Sequence, residues 1–360
     1  MQVKIKVLFL TRYGVLGASS RLRAFQYLPV FEKSGIDCTV EPLIADDLLS
    51  EKYNNGRYSK WRLFISYLRR GCILVFRRNK FDLIWIEKEA FPWCPVFVEI
   101  LLLGKQPYVL DYDDAVFHSY DRHRSALVRY FFGARIDDLM KQSRLVVAGN
   151  QYLAARAALA GALRVEILPT VIDLERYPIN PITCANIHTI RIVWIGSPST
   201  IKYLEGIRPA LVALRKLITF QLRIIGGVFF EPELDVECLP WFDHSEVLQI
   251  AECDIGIMPL DDSFWERGKC GYKLIQYMAC GLPVVASPVG VNAEIVDHGI
   301  NGYLVKTNEQ WVEALEKLLT HPALRTRLGS AGRRRVEQRY CLQRIAPKLS
   351  ELLLEAHDSE

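Results

Sequence analysis

Short apolar runs, each closed by a glycine, proline or acidic loop and followed by an amphipathic stretch, recur along the whole of this 360-residue chain. The first run is Val7–Leu10, broken at Gly14 and Gly17; Ser19 or Ser20 then caps a helix. Leu22, Phe25, Leu28 and Phe31 line one side of that helix, Pro29 is expected to kink it, and Gly35 stops it. Further runs lie at Cys38–Val40, Leu83–Glu87, Tyr108–Asp111, Leu145–Ala148 and Glu166–Leu168. Strands that alternate with helices in this way predict a parallel sheet covered on both faces.

The pattern then pauses and begins again. Residues 178–190 (PINPITCANIHTI) have two prolines and no periodicity, and read as a linker. Strands follow at Ile192–Ile195, Leu222–Ile225, Asp254–Met258 and Val284–Ala286, with Ser197–Thr200 opening a helix lined by Leu204, Ile207, Leu211, Leu214 and Ile218. A long charged helix is expected from about Arg333 to Ala356. The division expected is therefore 1–177, a linker 178–190, 191–335, and a terminal helix 336–360 packing back toward the first domain. The length is too great for one ordinary core, which agrees with two domains. Two doubly wound α/β halves should face a central cleft, with the loops at the strand carboxyl ends lining it.

Composition narrows the class. Nine cysteines without a C-x-x-C pair or regular histidine spacing read as reduced thiols of a cytoplasmic protein, neither disulfides nor zinc ligands. The chain starts in a strand instead of a signal peptide, and no apolar run has the length of a membrane span. A formal charge of +4 says little about partners, and the one basic stretch has no recognition motif beside it, so no nucleic acid is expected.

Residues 267–305 carry the clearest chemistry. Lys269 and Lys273 stand before and inside a short amphipathic helix that runs into Gly281-Leu282-Pro283, an apolar strand and a glycine loop at Gly290, with Glu294 and the Asn301-Gly302 turn beyond. Cations at a helix start beside a glycine loop suit a phosphorylated ligand. Cleaving a sugar–diphosphate bond leaves negative charge on phosphate, which cations and helix N-termini stabilise. Lys273 and Lys269 fit that role, with Arg267 as a third candidate; Ser199 and Thr200 after Gly196 offer hydroxyls and N–H groups.

Cys253-Asp254-Ile255-Gly256-Ile257-Met258-Pro259, Tyr277–Ala286, Gly302-Tyr303-Leu304-Val305, Trp194-Ile195-Gly196 and the first glycine loop at Gly17 occur in an order that resembles family 4 glycosyltransferases. The resemblance implies the GT-B architecture of two Rossmann-like domains, nucleotide-sugar binding by the C-terminal domain, and sugar transfer with retention and no metal or other cofactor. It also implies two glutamates eight positions apart, the second two residues before Met-Ala. Gly268 and Gln276 occupy those positions here, so the chain resembles a subset that lacks the glutamate pair and shares the Lys-Cys-x-x-Lys pattern of 269–273. Gln276 can accept a ribose hydroxyl's hydrogen bond through its carbonyl oxygen. Gly268 cannot touch the sugar, and Glu266, expected on a flexible loop, is the nearest carboxylate. The donor set is thus Gly17, Gly196, Ser197, Ser199, Thr200, Lys202, Arg267, Lys269, Lys273, Gln276, Gly290 and Glu294. Ser197 and Lys202 stand near the family's arginine and lysine.

In the first half, Asp111, Asp113 and Asp114 crowd a strand end, where like charges are costly unless used or solvated. Related enzymes often place a histidine-bearing loop there. Asp113 or Asp114 could bind donor hydroxyls or act as general base, so they join Lys273 as catalytic candidates. Arg21, Glu87 and His118 are the acceptor-side candidates, with Arg23 beside Arg21. From Arg57 to Lys80 there are eight basic residues and no acid, with Trp61, Phe64, Ile65, Leu68, Cys72 and Val75 at helical spacing. That helix reads either as a membrane-surface element or as an ordinary domain helix whose apolar side faces the core, and both hold if the apolar side packs inward and the basic side meets anionic headgroups. The expected partners are a nucleotide-sugar and a glycan or lipid-linked acceptor, which points to cell-surface glycan synthesis on the cytoplasmic side. A non-catalytic nucleotide-sugar binder and a sugar-nucleotide epimerase stay open as alternatives.

Overall fold

The computed structural model describes residues 5–177 and 189–358. The linker expected at 178–190 lies outside the described residues except for its last two. The chain divides into two compact units. The first runs to Thr170 and takes in Gly268–Cys270 and the segment from Leu342; the second comprises Val171–Arg267 and Gly271–Cys341.

The first unit holds a six-stranded sheet of β1 (Ile5–Tyr13), β2 (Ile36–Ile44), β3 (Leu83–Glu87), β4 (Tyr108–Tyr112), β5 (Leu145–Ala148) and β6 (Val165–Ile167), all parallel, in the order β2-β1-β3-β4-β5-β6. The β3 and β4 side chains are buried throughout, as expected for strands covered on both faces. The second unit holds β7 (Arg191–Ile195), β8 (Gln221–Ile225), β9 (Asp235–Leu239), β10 (Ile255–Met258), β11 (Val284–Ala286) and β12 (Gly302–Leu304) in the order β12-β11-β10-β7-β8-β9, again all parallel. Each order reverses direction once, between β1 and β3 and between β7 and β10. Such reversal points, at the strand carboxyl ends, are where doubly wound sheets hold ligands.

Several sequence expectations change. The helix expected through Pro29 is two helices, Ala18–Arg23 and Leu28–Lys33, joined by a 3-10 turn. The chain breaks at Ala24, and Pro29 sits in the first turn of the second helix, where its missing N–H costs nothing. The half-exposed edge strand β9 has no apolar run to announce it. The single terminal helix is also two, Pro322–Arg339 and Leu342–Asp358. The break comes where the Tyr340 carbonyl accepts from Ile172 N–H and Ile172 pairs with Cys341, both in the second unit. Leu342–Asp358 packs on Leu28–Lys33 within the first unit.

Among the described residues no helix is long and apolar enough to cross a membrane. In the helix Lys60–Arg77 the apolar residues that the domain-helix reading turns to the core are exposed. Trp61, Phe64, Ile65, Leu68, Cys72 and Val75 are exposed, whereas Arg70 is buried and donates to the carbonyls of Thr11, Glu41 and Ala90. Arg62 pairs with Asp47 and Glu51, and Arg69 and Arg77 pair with Glu41. Four of its arginines thus serve the fold, Ile73 and Leu74 pack inward, and the apolar residues named above face outward.

Candidate functional site

In the second unit the reversal point is built around one tyrosine. The Tyr277 ring lies against Gly256 of β10, leaving no room there for a β-carbon, and its hydroxyl accepts from Ile195 N–H at 2.9 Å. This seats the helix Tyr272–Ala279 across β7 and β10. One turn earlier on the same helix face comes Lys273. Its ammonium lies 4.1 Å from the Trp194 ring centre and 2.6 Å from where a β-carbon on Gly196 would stand. Gly271, with φ +64, lets the chain enter this helix in a left-handed conformation that a β-carbon disfavours. A cation is therefore held at the carboxyl end of β7, beside backbone that is bare because residue 196 is glycine.

The neighbours of this cation fall into place unevenly. Ser197 and Ser199 hydroxyls lie 2.9 Å apart, and Thr200 donates to the Ser197 carbonyl. They form a short 3-10 turn, and the helix proper starts at Lys202, so Ser199 and Thr200 do not open it as expected. Lys202 stands over the Tyr203 ring. Gln276 is buried and donates from its amide to the Tyr177 hydroxyl at 3.1 Å. Arg267 pairs with Asp262 across 2.7 Å, and Gly290 packs on the Arg267 backbone. Glu294 is exposed, and its carbonyl accepts from Arg335. Glu266 is not on a flexible loop: it sits in the helix Phe264–Arg267, buried, accepting from Tyr203 and Ser263.

In the first unit the reversal point is built around a lysine. Lys88 follows β3 with φ +65, and the Glu89 N–H bonds the Glu87 carbonyl across it, a strained γ-turn. The turn sends the Lys88 ammonium to within 2.8 Å of Asp113 and 3.6 Å of Asp114. Ser19 donates to the other Asp113 oxygen at 2.6 Å. Burial works to raise Asp113, but Lys88 and Ser19 outweigh it and hold this carboxyl below the usual range. Burial prevails for Asp114, which is raised despite Lys88 and Lys269. Asp111 takes no part: Arg23 grips both its oxygens in the core and also bonds the Leu168 carbonyl. The three-carboxylate cluster thus resolves into one structural ion pair and one lysine-bridged pair.

Residues 268–270 belong to this first unit. The Cys270 thiol, pushed up to about 12 by burial, donates to the Asp113 carbonyl at 3.1 Å, and Asn150 bonds the Lys269 carbonyl at 2.9 Å. The two lysines that read as one cradle in sequence are therefore assigned to different units: Lys273 to the second, Lys269 to the first beside Asp114. No local pattern announces this, because the anchoring partners lie 119 or more positions away.

The acceptor-side candidates are each held by contacts within the first unit. Glu87 is buried and accepts from Arg12 N–H and the Ser20 hydroxyl, tying β1 to β3. Arg21 is buried, with one guanidinium nitrogen on the Val15 carbonyl. His118 lies within hydrogen-bond distance of Asp121 and Tyr152, a local network in which Arg156 also holds Asp121. Gly17 caps the helix Ala18–Arg23 through backbone alone, in a loop gathered by Asp46, which accepts from Leu16 N–H.

Residues 189–321 match the family model described as Glycosyl transferases group 1. The chain is 39% identical over 75 residues to spore coat protein SA of Bacillus subtilis, covering 20% of each. It is 36% identical over 88 residues to the D-inositol 3-phosphate glycosyltransferase of Saccharomonospora viridis, covering 24% of this chain and 20% of that one. The chain thus spans about a fifth of the length of these curated relatives. Among solved structures, Anabaena Alr3699/HepE in complex with UDP and glucose superposes with a TM-score of 0.72 at 16% identity, covering 98% of this chain and 100% of that one. Sucrose-phosphate synthase from Thermosynechococcus elongatus gives a TM-score of 0.72 at 15% identity, covering 98% and 99%. The fold shared with these proteins is the GT-B fold.

Proposed function

We propose that this GT-B chain, whose second unit carries the group 1 glycosyl transferase match, is a glycosyltransferase. It moves a sugar from a nucleoside-diphosphate donor to an acceptor hydroxyl with retention of anomeric configuration and without a metal. The observation that carries this reading is Lys273, held by Tyr277 at the carboxyl end of β7 beside the bare backbone of Gly196. A diphosphate at this point meets a fixed cation and needs no metal to offset the charge that develops as the sugar C1–oxygen bond breaks. Gln276 takes a ribose hydroxyl through its carbonyl oxygen. The new bond forms from the acceptor oxygen to C1, and its proton leaves to a carboxylate. Asp114 suits that step better than Asp113, whose two oxygens already accept from Lys88 and Ser19. The UDP of the HepE complex makes UDP-sugars the first donors to try.

The acceptor class is a glycan or a lipid-linked saccharide in cell-surface glycan synthesis, and the working place is the cytoplasmic face of a membrane. A panel of nucleotide-sugars screened for thermal stabilisation tests the donor, since a ligand of the native state raises stability by mass action. The anomeric configuration of the product, read by NMR with and without a chelator, tests retention and metal independence. Stabilisation by no nucleotide-sugar sinks the reading. Donor binding without turnover would instead favour a non-catalytic binder, a role consistent with glycine at 268. A donor sugar altered with no acceptor present would favour an epimerase.

A further inference from the structure

The first unit exposes large apolar side chains on three helices. Phe64 and Phe76 lie on Lys60–Arg77, Phe97 and Leu101 on Val96–Leu103, and Leu127 and Tyr130 on Ala126–Phe132. On each helix the exposed residues recur at spacings of three and four, so each presents a stripe. The three helices are linked through the loop between β3 and Val96–Leu103. Lys60–Arg77 packs on Val96–Leu103, Tyr67 donates from its hydroxyl to the Pro92 carbonyl, and the half-exposed Trp93 lies against Phe132. An apolar face of this extent marks a contact surface, since soluble surfaces scatter such residues singly.

Charge identifies the occupant. Residues 57–80, 91–107 and 122–135 contain one acid, Glu99, which is buried and bound by Arg135. Arg62, Arg69 and Arg77 are matched by Asp47, Glu51 and Glu41, so Arg57, Lys60, Lys105 and Arg124 give the rim its sign. Two copies meeting through this face would bring like-charged rims together. An anionic bilayer offers an apolar interior beneath negative headgroups, which complements both features.

We propose that these three helices form a docking face that inserts its apolar stripes into an anionic lipid surface. The proposal rests on the membrane-peripheral reading above and replaces its basic helix face with an apolar, three-helix one. Side chains enter the acyl boundary, and the cations hold the rim.

Sedimentation of the full chain with phosphatidylglycerol and with phosphatidylcholine vesicles tests it. Phe76, Leu101 and Tyr130 are 77%, 74% and 82% exposed, so changing all three to Ser leaves the core alone. The triple variant should lose at least about tenfold in affinity for phosphatidylglycerol vesicles, with its melting temperature and its response to UDP unchanged. Replacing Lys60 and Arg124 by Glu should weaken binding at low salt and not at high salt. Binding that survives the triple substitution overturns the proposal. So does a wild-type dimer, seen by light scattering, that the triple variant dissolves without any vesicle binding. Absence of UDP stabilisation in wild type, with vesicle binding intact and sensitive to the triple change, supports the docking face and counts only against the transferase reading.

Discussion

The ammonium of Lys273 lies 4.1 Å from the centre of the Trp194 ring, a buried aromatic at the end of β7. The ring fixes where the cation stands, and a cation–π contact of this kind is worth about 0.5–2 kcal/mol. Lys273→Ala should therefore cost little stability while removing the charge proposed to meet the leaving diphosphate. Initial transfer rates should fall at least about 100-fold, the scale of losing one electrostatic stabiliser. Near-normal transfer with a normal melting curve would refute the phosphate role.

Gly196 is bare for a reason that can be measured. A β-carbon there would stand 2.6 Å from the Lys273 ammonium, 2.7 Å from the Thr200 hydroxyl and 2.7 Å from the Trp194 ring. The ring is core and cannot retreat, so the lysine must. Gly196→Ala should weaken UDP binding by roughly tenfold, an energy of about 1.4 kcal/mol, and should also lower the urea midpoint, because the strain against the buried Trp194 ring stays. Titration calorimetry with UDP checks this, and unchanged affinity would mean that the ligand does not approach Gly196.

The strands were largely legible because a buried parallel strand writes itself as an uninterrupted apolar run: Leu83–Glu87, Leu145–Ala148 and Val284–Ala286 fall at the positions read from sequence. β9 was not legible, because DVECL is a half-exposed edge with charged residues. Lys273 was legible through its place between a glycine and an apolar helix face. The pairings that decide Asp111, Asp113 and Asp114 were not, because Arg23, Ser19 and Lys88 reach them across 88, 94 and 25 positions of chain. The core-facing reading of Lys60–Arg77 fails for a related reason. Periodicity reveals an apolar side, but only the packed neighbours decide whether that side points inward.

Gly268, which stands where the resembled family carries a glutamate, has no space for a side chain. A β-carbon would lie 2.5 Å from that of Ala115 and 2.8 Å from the Ala115 nitrogen. Backbone cannot rotate away as a side chain can, so Gly268→Ala should destabilise by about 1–3 kcal/mol. Gly268→Glu should be at least as costly and confer no gain in transfer. Urea unfolding followed by tryptophan fluorescence gives both numbers; a neutral Gly268→Ala would mean that the 268–270 segment is not seated on Ala115.

Lys88 should reveal its part through pH. Burial works to lower its pKa, but Asp113 and Asp114 more than offset this and raise it, while Asp113 is held below the ordinary carboxylate range. A depressed carboxylate adds stability above its unfolded value of about 3.9, which is lost as pH falls through the lower folded value. A raised lysine adds stability below its unfolded value of about 10.4, which is lost only as pH rises through the higher folded one. The pair is therefore fully stabilising between these limits. Lys88→Met strands a buried carboxylate and should cost about 3 kcal/mol at pH 7. The gap between variant and wild type should be widest near neutral pH, narrow on acidification as Asp113, raised by burial once Lys88 is gone, takes up a proton before its wild-type counterpart does, and persist past pH 10. Unfolding midpoints across that range measure it directly. A gap that failed to narrow in acid would mean that the cost of the variant does not come from an unpaired Asp113 carboxylate.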